Sequence, residues 1–159
     1  MMTGAAWQRG DAYMLHAGKT NVTMTSSRVS IRSVVALQKR LGDGRYLWTR
    51  IDGREYLIRD EAFLREAVAL WAPIDALKPE QRELDAEEER LDNRIDAIED
   101  GDAKAEPGEL ERLRERNHVV TQRQRELDQR EEALEKVIEA KLRDMVEQAI
   151  RDRRARQLD

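Results

Sequence analysis

Apolar residues follow two rhythms along this chain. Up to about residue 72 they come in short runs broken by Gly, Asp and Ser, and beyond Pro73 they recur every seven residues within long polar stretches. Leu77, Leu84, Leu91 and Ile98 form one such series, and Leu113, Val120, Leu127 and Leu134 a second. A heptad stripe marks a helix that buries one narrow face against another helix. Between the two series, residues 100–108 (Asp-Gly-Asp-Ala-Lys-Ala-Glu-Pro-Gly) are rich in helix breakers. The pattern predicts an antiparallel coiled-coil hairpin with helices at about 79–99 and 109–157. The rise of an α-helix makes these ~30 and ~70 Å long. The far end of the second helix therefore has no counterpart in the first. Its apolar residues Val137, Ile138, Leu142, Met145, Val146 and Ile150 should bury against something, and the N-terminal part is the nearest candidate.

That N-terminal part, residues 1–72, reads as a small α/β head. Residues 46–51 and 54–58 are β-rich runs flanking Asp52-Gly53, a pair suited to a two-residue turn with φ > 0 at both positions. Such a turn sets Arg50 opposite Glu55. It places Leu47, Ile51, Tyr56 and Ile58 on one face, with Trp48 and Leu57 on the other. Asp60 is a good N-cap for a helix carrying Leu64, Ala67, Val68 and Trp71, which Pro73 should end. Ile31, Val34, Val35 and Leu41 fit a helix that starts after Ser26-Ser27 and stops at Gly42. Residues 12–16 and 21–25 read as two further strands around Gly18. The expected fold class is α+β, a ββαββα head (1–72) followed by the helical hairpin (73–159).

Composition sharpens the division. All three Trp, all three Tyr and the one Phe lie in the first 72 residues, so the second half must pack through aliphatic stripes. Of the 159 residues 39% are charged, which suits solvated helices better than a compact globule. Residues 80–102 hold 11 acids and 3 bases, net −8, whereas residues 109–130 hold 5 and 6, net +1. An acidic helix beside an Arg-rich one favours the pairing and its register. The overall charge of −4 is mild, and nucleic acid is not expected as a partner. The first residues show no apolar leader and no run approaches the ~20 apolar residues of a membrane span. The chain is expected to be soluble, without a membrane span and by default cytoplasmic.

Tests for chemistry return little. Cysteine is absent, which removes thiolate metal sites and a Cys nucleophile. Residues 96–107 brush against a calcium loop but carry Ile98 and Pro107 where acidic ligands belong. Gly42-Asp43-Gly44 follows a helix and precedes a strand, the reverse of a phosphate loop. His16 and His118 lie far apart, outside any ligand motif, and surface positions are expected for both. No nucleophile has a base in evident reach, so no enzyme, cofactor or metal is expected. Asn117 and Gln124 fall at a seam position of the second helix, where polar residues fix register.

Two features could serve interaction. Trp48 and Leu57 share a sheet face, to be covered by the overhanging helix or left as an exposed patch. Arg151, Arg153, Arg154 and Arg156 form a basic helix end, which complements the helix dipole or contacts the phosphates of nucleic acid or an anionic membrane surface. Residues 44–60, followed by the helix ending Trp71-Ala72-Pro73 and the Leu heptads, resemble a poorly characterised bacterial segment. That segment is associated with the C-terminal tails of membrane-bound, beta-lactam-sensor-type metallopeptidases and with small neighbouring proteins. The resemblance covers residues 27–95 or so. It implies a sensory or adaptor role and leaves a periplasmic location open. It implies neither peptidase activity nor anchoring, because this chain has no His-Glu-x-x-His and no membrane helix. The expectation is a non-enzymatic protein–protein interaction or adaptor module with a coiled-coil arm. Its partner is another protein or, through the same heptads, a second copy in a homodimer.

Overall fold

The structure, a computed structural model, describes residues 7–17, 23–26, 29–42 and 44–158. In chain order the elements are β1 (Ala12–Ala17), β2 (Thr23–Thr25), α1 (Ile31–Leu41), β3 (Arg45–Ile51), β4 (Arg54–Ile58) and α2 (Glu61–Ala69). Then come α3 (Ala72–Asp75), α4 (Lys78–Glu99), α5 (Glu109–Arg151) and β5 (Ala155–Leu158). The protein is α+β. Its strands form one antiparallel sheet in the order β2-β1-β3-β4-β5. Two compact units are present, Met1–Ala72 with Lys136–Asp159, and Pro73–Glu135.

In the first unit Asp52 (φ 53°) and Gly53 (φ 75°) are both left-handed, so the β3–β4 turn has the backbone that Asp-Gly favours. The register follows from it, with Trp48 opposite Leu57 and Arg50 opposite Glu55. Gly18 and the first two residues expected for the second strand lie outside the described residues. Alternation gives the sheet two apolar faces. Tyr13, Leu15, Leu47, Ile51 and Ile58 pack under α2 (Phe63, Leu64, Ala67) and under α5 (Leu142, Val146, Ala149). Ala12, Met14, Tyr46, Trp48 and Leu57 pack under α1 through Leu37, with Val34 and Leu41 beside it. The C-terminal stretch of α5 was expected over Trp48 and Leu57. It lies on the opposite face, because two apolar faces need two covers and the Val34-Leu37-Leu41 stripe of α1 supplies the second. Val137, counted in that apolar stretch, stays half exposed.

Local signals place most helix ends. α1, expected to start after Ser26-Ser27, is capped by Ser30, which accepts from the Ser33 N–H at 3.2 Å. Ser26 instead accepts from the Tyr13 N–H at 3.3 Å and steadies β1. Asp60 caps α2 through the Phe63 N–H. Pro73, expected to end the helix through Trp71, does not: α2 stops at Ala69, and Pro73 sits in the first turn of the short α3, where its missing N–H costs nothing.

The second long helix departs from its expected end near residue 157. It stops at Arg151, and Arg153 turns left-handed at φ 60°. The Arg153 N–H donates to Ile150 O at 3.2 Å and the Arg154 N–H to Ala149 O at 2.9 Å, the two bonds of a Schellman stop. The chain then pairs with β4, Ala155 opposite Ile58 and Arg156 opposite Leu57. No Gly or Pro announces this stop. The edge of β4 offers unpaired backbone groups that a further helical turn would leave to solvent. Residues 73–159 are thus not all helical, and the last stretch returns to the sheet.

In the second unit α4, with Pro79 in its first turn, is tied by side-chain pairs to the start of α5, which runs the opposite way. Arg123 grips both oxygens of Glu80 (2.7 and 3.1 Å) and Arg116 both oxygens of Glu87 (2.6 and 3.1 Å). Arg94 donates to Glu109 at 2.8 Å, and Arg114 pairs with Glu99. The amides of Asn117 and Gln124 donate to Asp92 (3.1 Å) and Glu88 (2.6 Å). Leu77, Ile95, Val120 and Leu127 are buried.

Candidate functional site

The strongest candidate is a groove of about 280 Å³ between α1 and the sheet face that carries Trp48. Its walls come from Ala12 of β1, from Trp48 of β3 and from Ser33, Ala36 and Leu37 of α1. Ala12 and Ala36 present only methyl groups, so the space a Leu would fill stays open. Arg40, Arg50 and Glu55 stand at the rim. Trp48 and Leu57, 2% and 4% exposed, belong to the core beneath this groove rather than to a free patch.

Electrostatics at the rim differ from what the register alone implies. Arg50 lies opposite Glu55, but the carboxylate has other partners. The Trp48 indole N–H donates to Glu55 Oε1 at 3.0 Å, and Arg40 Nη1 lies 3.6 Å from the same oxygen. The Arg50 guanidinium instead lies over the Trp48 ring, 5.3 Å from its centroid. Among the described residues it has no carboxylate partner, and it is exposed.

The four C-terminal arginines do not form one cluster. Arg151 donates to Gln148 Oε1 at 2.8 Å. Arg153 occupies the left-handed turn position. Arg154 reaches Asp60 at 3.2 Å and Asp152 at 3.5 Å. Only Arg156, opposite Leu57 on β5, shares the sheet face of Trp48. No family model, curated protein or solved structure matches the chain. Function therefore rests on this geometry and on the residues that carry it.

Sequence reasoning missed a second polar centre. Arg143 of α5 and Asp11 are each 3% exposed and pair at 2.7 Å. Asp11 also accepts from the Gln8 N–H (2.8 Å) and the Asp52 N–H (3.2 Å). Burial raises its pKa, but the two N–H donors and the guanidinium outweigh that and hold the carboxyl below its usual value. Arg143 lies 5.2 Å from the centroid of Trp7, whose indole N–H donates to Glu139 O at 2.7 Å. The partners are 132 residues apart, and no local pattern links them.

His16 departs from its expected surface position. It is nearly buried, stacked on Tyr46 at 5.1 Å, and its Nδ1–H donates to Gly44 O at 2.5 Å. A carbonyl only accepts, so this contact sets the tautomer and gives the ring a structural role. Asp43, in the Gly-Asp-Gly stretch, lies outside the described residues. A polar hollow of about 480 Å³ along α4 and α5 is lined by Gln81, Asp85, Gln124, Asp128 and Glu131. Among the described residues no group of three or more His, Asp or Glu side chains is arranged to hold a metal ion. Nor is any helix among them long and apolar enough to cross a membrane.

Proposed function

We propose that the chain is a non-enzymatic protein–protein interaction module, an adaptor in which α4 and the start of α5 form an antiparallel coiled-coil arm. The observation that carries the reading is the run of opposite-charge pairs between the two helices, from Glu80–Arg123 to Glu99–Arg114. Pairs of this kind, two of them gripping both carboxylate oxygens, fix one register and one direction. A two-helix body so held, aromatic-free and densely charged outside, suits a stiff spacer that presents surfaces rather than a chamber for chemistry. The likeness of residues 44–60 to the sensor-associated segment agrees with an adaptor role.

Proximity chemistry tests the arm, because the chain has no native cysteine to interfere. Asp92→Cys and Asn117→Cys, placed together, put thiols where side chains meet at 3.1 Å. A short bis-maleimide should then link them within one chain, at monomer mass by sedimentation equilibrium across a wide concentration range. Links between chains, with a stable dimer mass, would overturn the intramolecular arm and make self-assembly the leading function.

A further inference from the structure

We propose that the groove between α1 and the Trp48 face docks a short segment of a partner protein that carries an acidic side chain next to a large aliphatic or aromatic one. This rests on the interaction-module reading and names the chemistry of its partner. Size argues first. At about 280 Å³ the groove sits at the lower edge of the ~300–1,000 Å³ of sites that enclose a small-molecule ligand, a size that suits a side chain or two. Its floor is apolar, with Ala12, Ala36, Leu37 and the Trp48 ring, and would bury one aliphatic side chain.

Charge argues second, and against the sign of the whole chain. The protein is net −4, yet on this sheet face Arg50 and Arg156 pair with no carboxylate among the described residues, and the acid at the rim, Glu55, is taken by the Trp48 indole N–H and Arg40. The cation–π contact with Trp48 restrains the Arg50 side chain before any ligand arrives. Less freedom is then lost when it takes a carboxylate with two parallel hydrogen bonds. A basic or neutral segment gains the apolar floor but not the paired hydrogen bonds to Arg50.

Panning a phage-displayed random peptide library on the immobilised full chain tests the proposal, with Arg50→Glu and Ala36→Leu in parallel. Arg50 is exposed and Ala36 faces open space, so both variants should keep wild-type far-UV circular dichroism. The wild type should enrich Asp or Glu beside Leu, Ile or Phe. Arg50→Glu should lose those sequences and enrich Lys or Arg, and Ala36→Leu, which fills the groove, should lose them outright. A synthetic winner should bind Arg50→Ala about tenfold more weakly or worse, as expected for a lost charge-assisted hydrogen bond. It should also move the Trp48 indole signal in NMR spectra of the wild type, whereas its Gln-for-acid counterpart should not. Winners without acids, or indifferent to both variants, would overturn the groove while leaving an interaction module with another surface. No enrichment over the bare support would overturn the groove, whereas the arm stands or falls on its own cross-linking result. A concentration-dependent dimer abolished by Arg50→Glu would assign the groove to the acidic helix of a second copy instead.

Discussion

Asp11 shows how much one residue can hold in place. Its two oxygens take the Gln8 and Asp52 backbone N–H groups and the Arg143 guanidinium, so one carboxylate joins the entry to β1, the β3–β4 turn and α5. Removing the charge leaves the buried Arg143 with the partly exposed Glu147, at 3.0 Å, as its counter-ion, so the cost falls at or below the ~3–5 kcal/mol of a buried charge left alone. Asp11→Asn should therefore lower the urea midpoint steeply, and adding Arg143→Met should recover much of the loss. A loss below about 1 kcal/mol would mean that Glu147 neutralises Arg143 by itself and that Asp11 adds little. The folded-state pKa of Asp11 lies below its unfolded value. Its contribution is therefore complete above the ordinary carboxylate pKa of about 4 and disappears as pH falls through the lowered one. Nothing in the sequence around Asp11 marks it out, because its main partner is 132 residues away.

At the scale of elements, the strands and caps follow local rules and one helix end does not. Asp52-Gly53 sets the hairpin register, and Asp60 starts α2 as its side chain dictates. The stop of α5 comes instead from tertiary pairing, and it forces Arg153 into a left-handed backbone. A non-glycine residue there costs about 1 kcal/mol relative to glycine. Arg153→Gly should raise the thermal midpoint by a few degrees without moving the secondary structure seen by circular dichroism. A fall would mean that the arginine side chain contributes more than its backbone costs. The same ordering explains the groove. Alternation in β3 reveals that Trp48 and Arg50 share a face, but only the packed α1 shows that Ala36 leaves a gap above them.

On the scale of the whole molecule, charge and fold are tied together. The chain carries 33 Asp and Glu against 29 Lys and Arg, and much of the second unit is held by pairs between them. Hydrogen bonds from Arg123, Arg116 and Arg94 hold Glu80, Glu87 and Glu109 below the usual glutamate range. Lowered carboxylates stabilise the fold above the ordinary pKa and cease to do so as pH falls through the lowered values. Below about pH 4 the bases stand progressively unopposed and repel one another. Far-UV circular dichroism with urea should show stability level from about pH 5 to 8 and dropping below about pH 4, with added salt restoring part of it. A curve flat to about pH 2 would mean that the cross-helix pairs carry no stability.

By itself the sequence determined the elements whose cause is local. The aromatic-free heptads gave two long helices, Asp52-Gly53 a hairpin, and the composition break near Pro73 a change from sheet to helix. Tertiary structure decided which face each helix covers, where α5 ends, and which charges meet. Those outcomes depend on partners far apart in the chain. Asp11 finds Arg143, β5 finds β4, and the Glu55 carboxylate goes to Trp48 and Arg40 rather than to Arg50 opposite. Short-range spacing sets a backbone path through steric and hydrogen-bond preferences, whereas long-range pairing is set by the desolvation and packing of the assembled core.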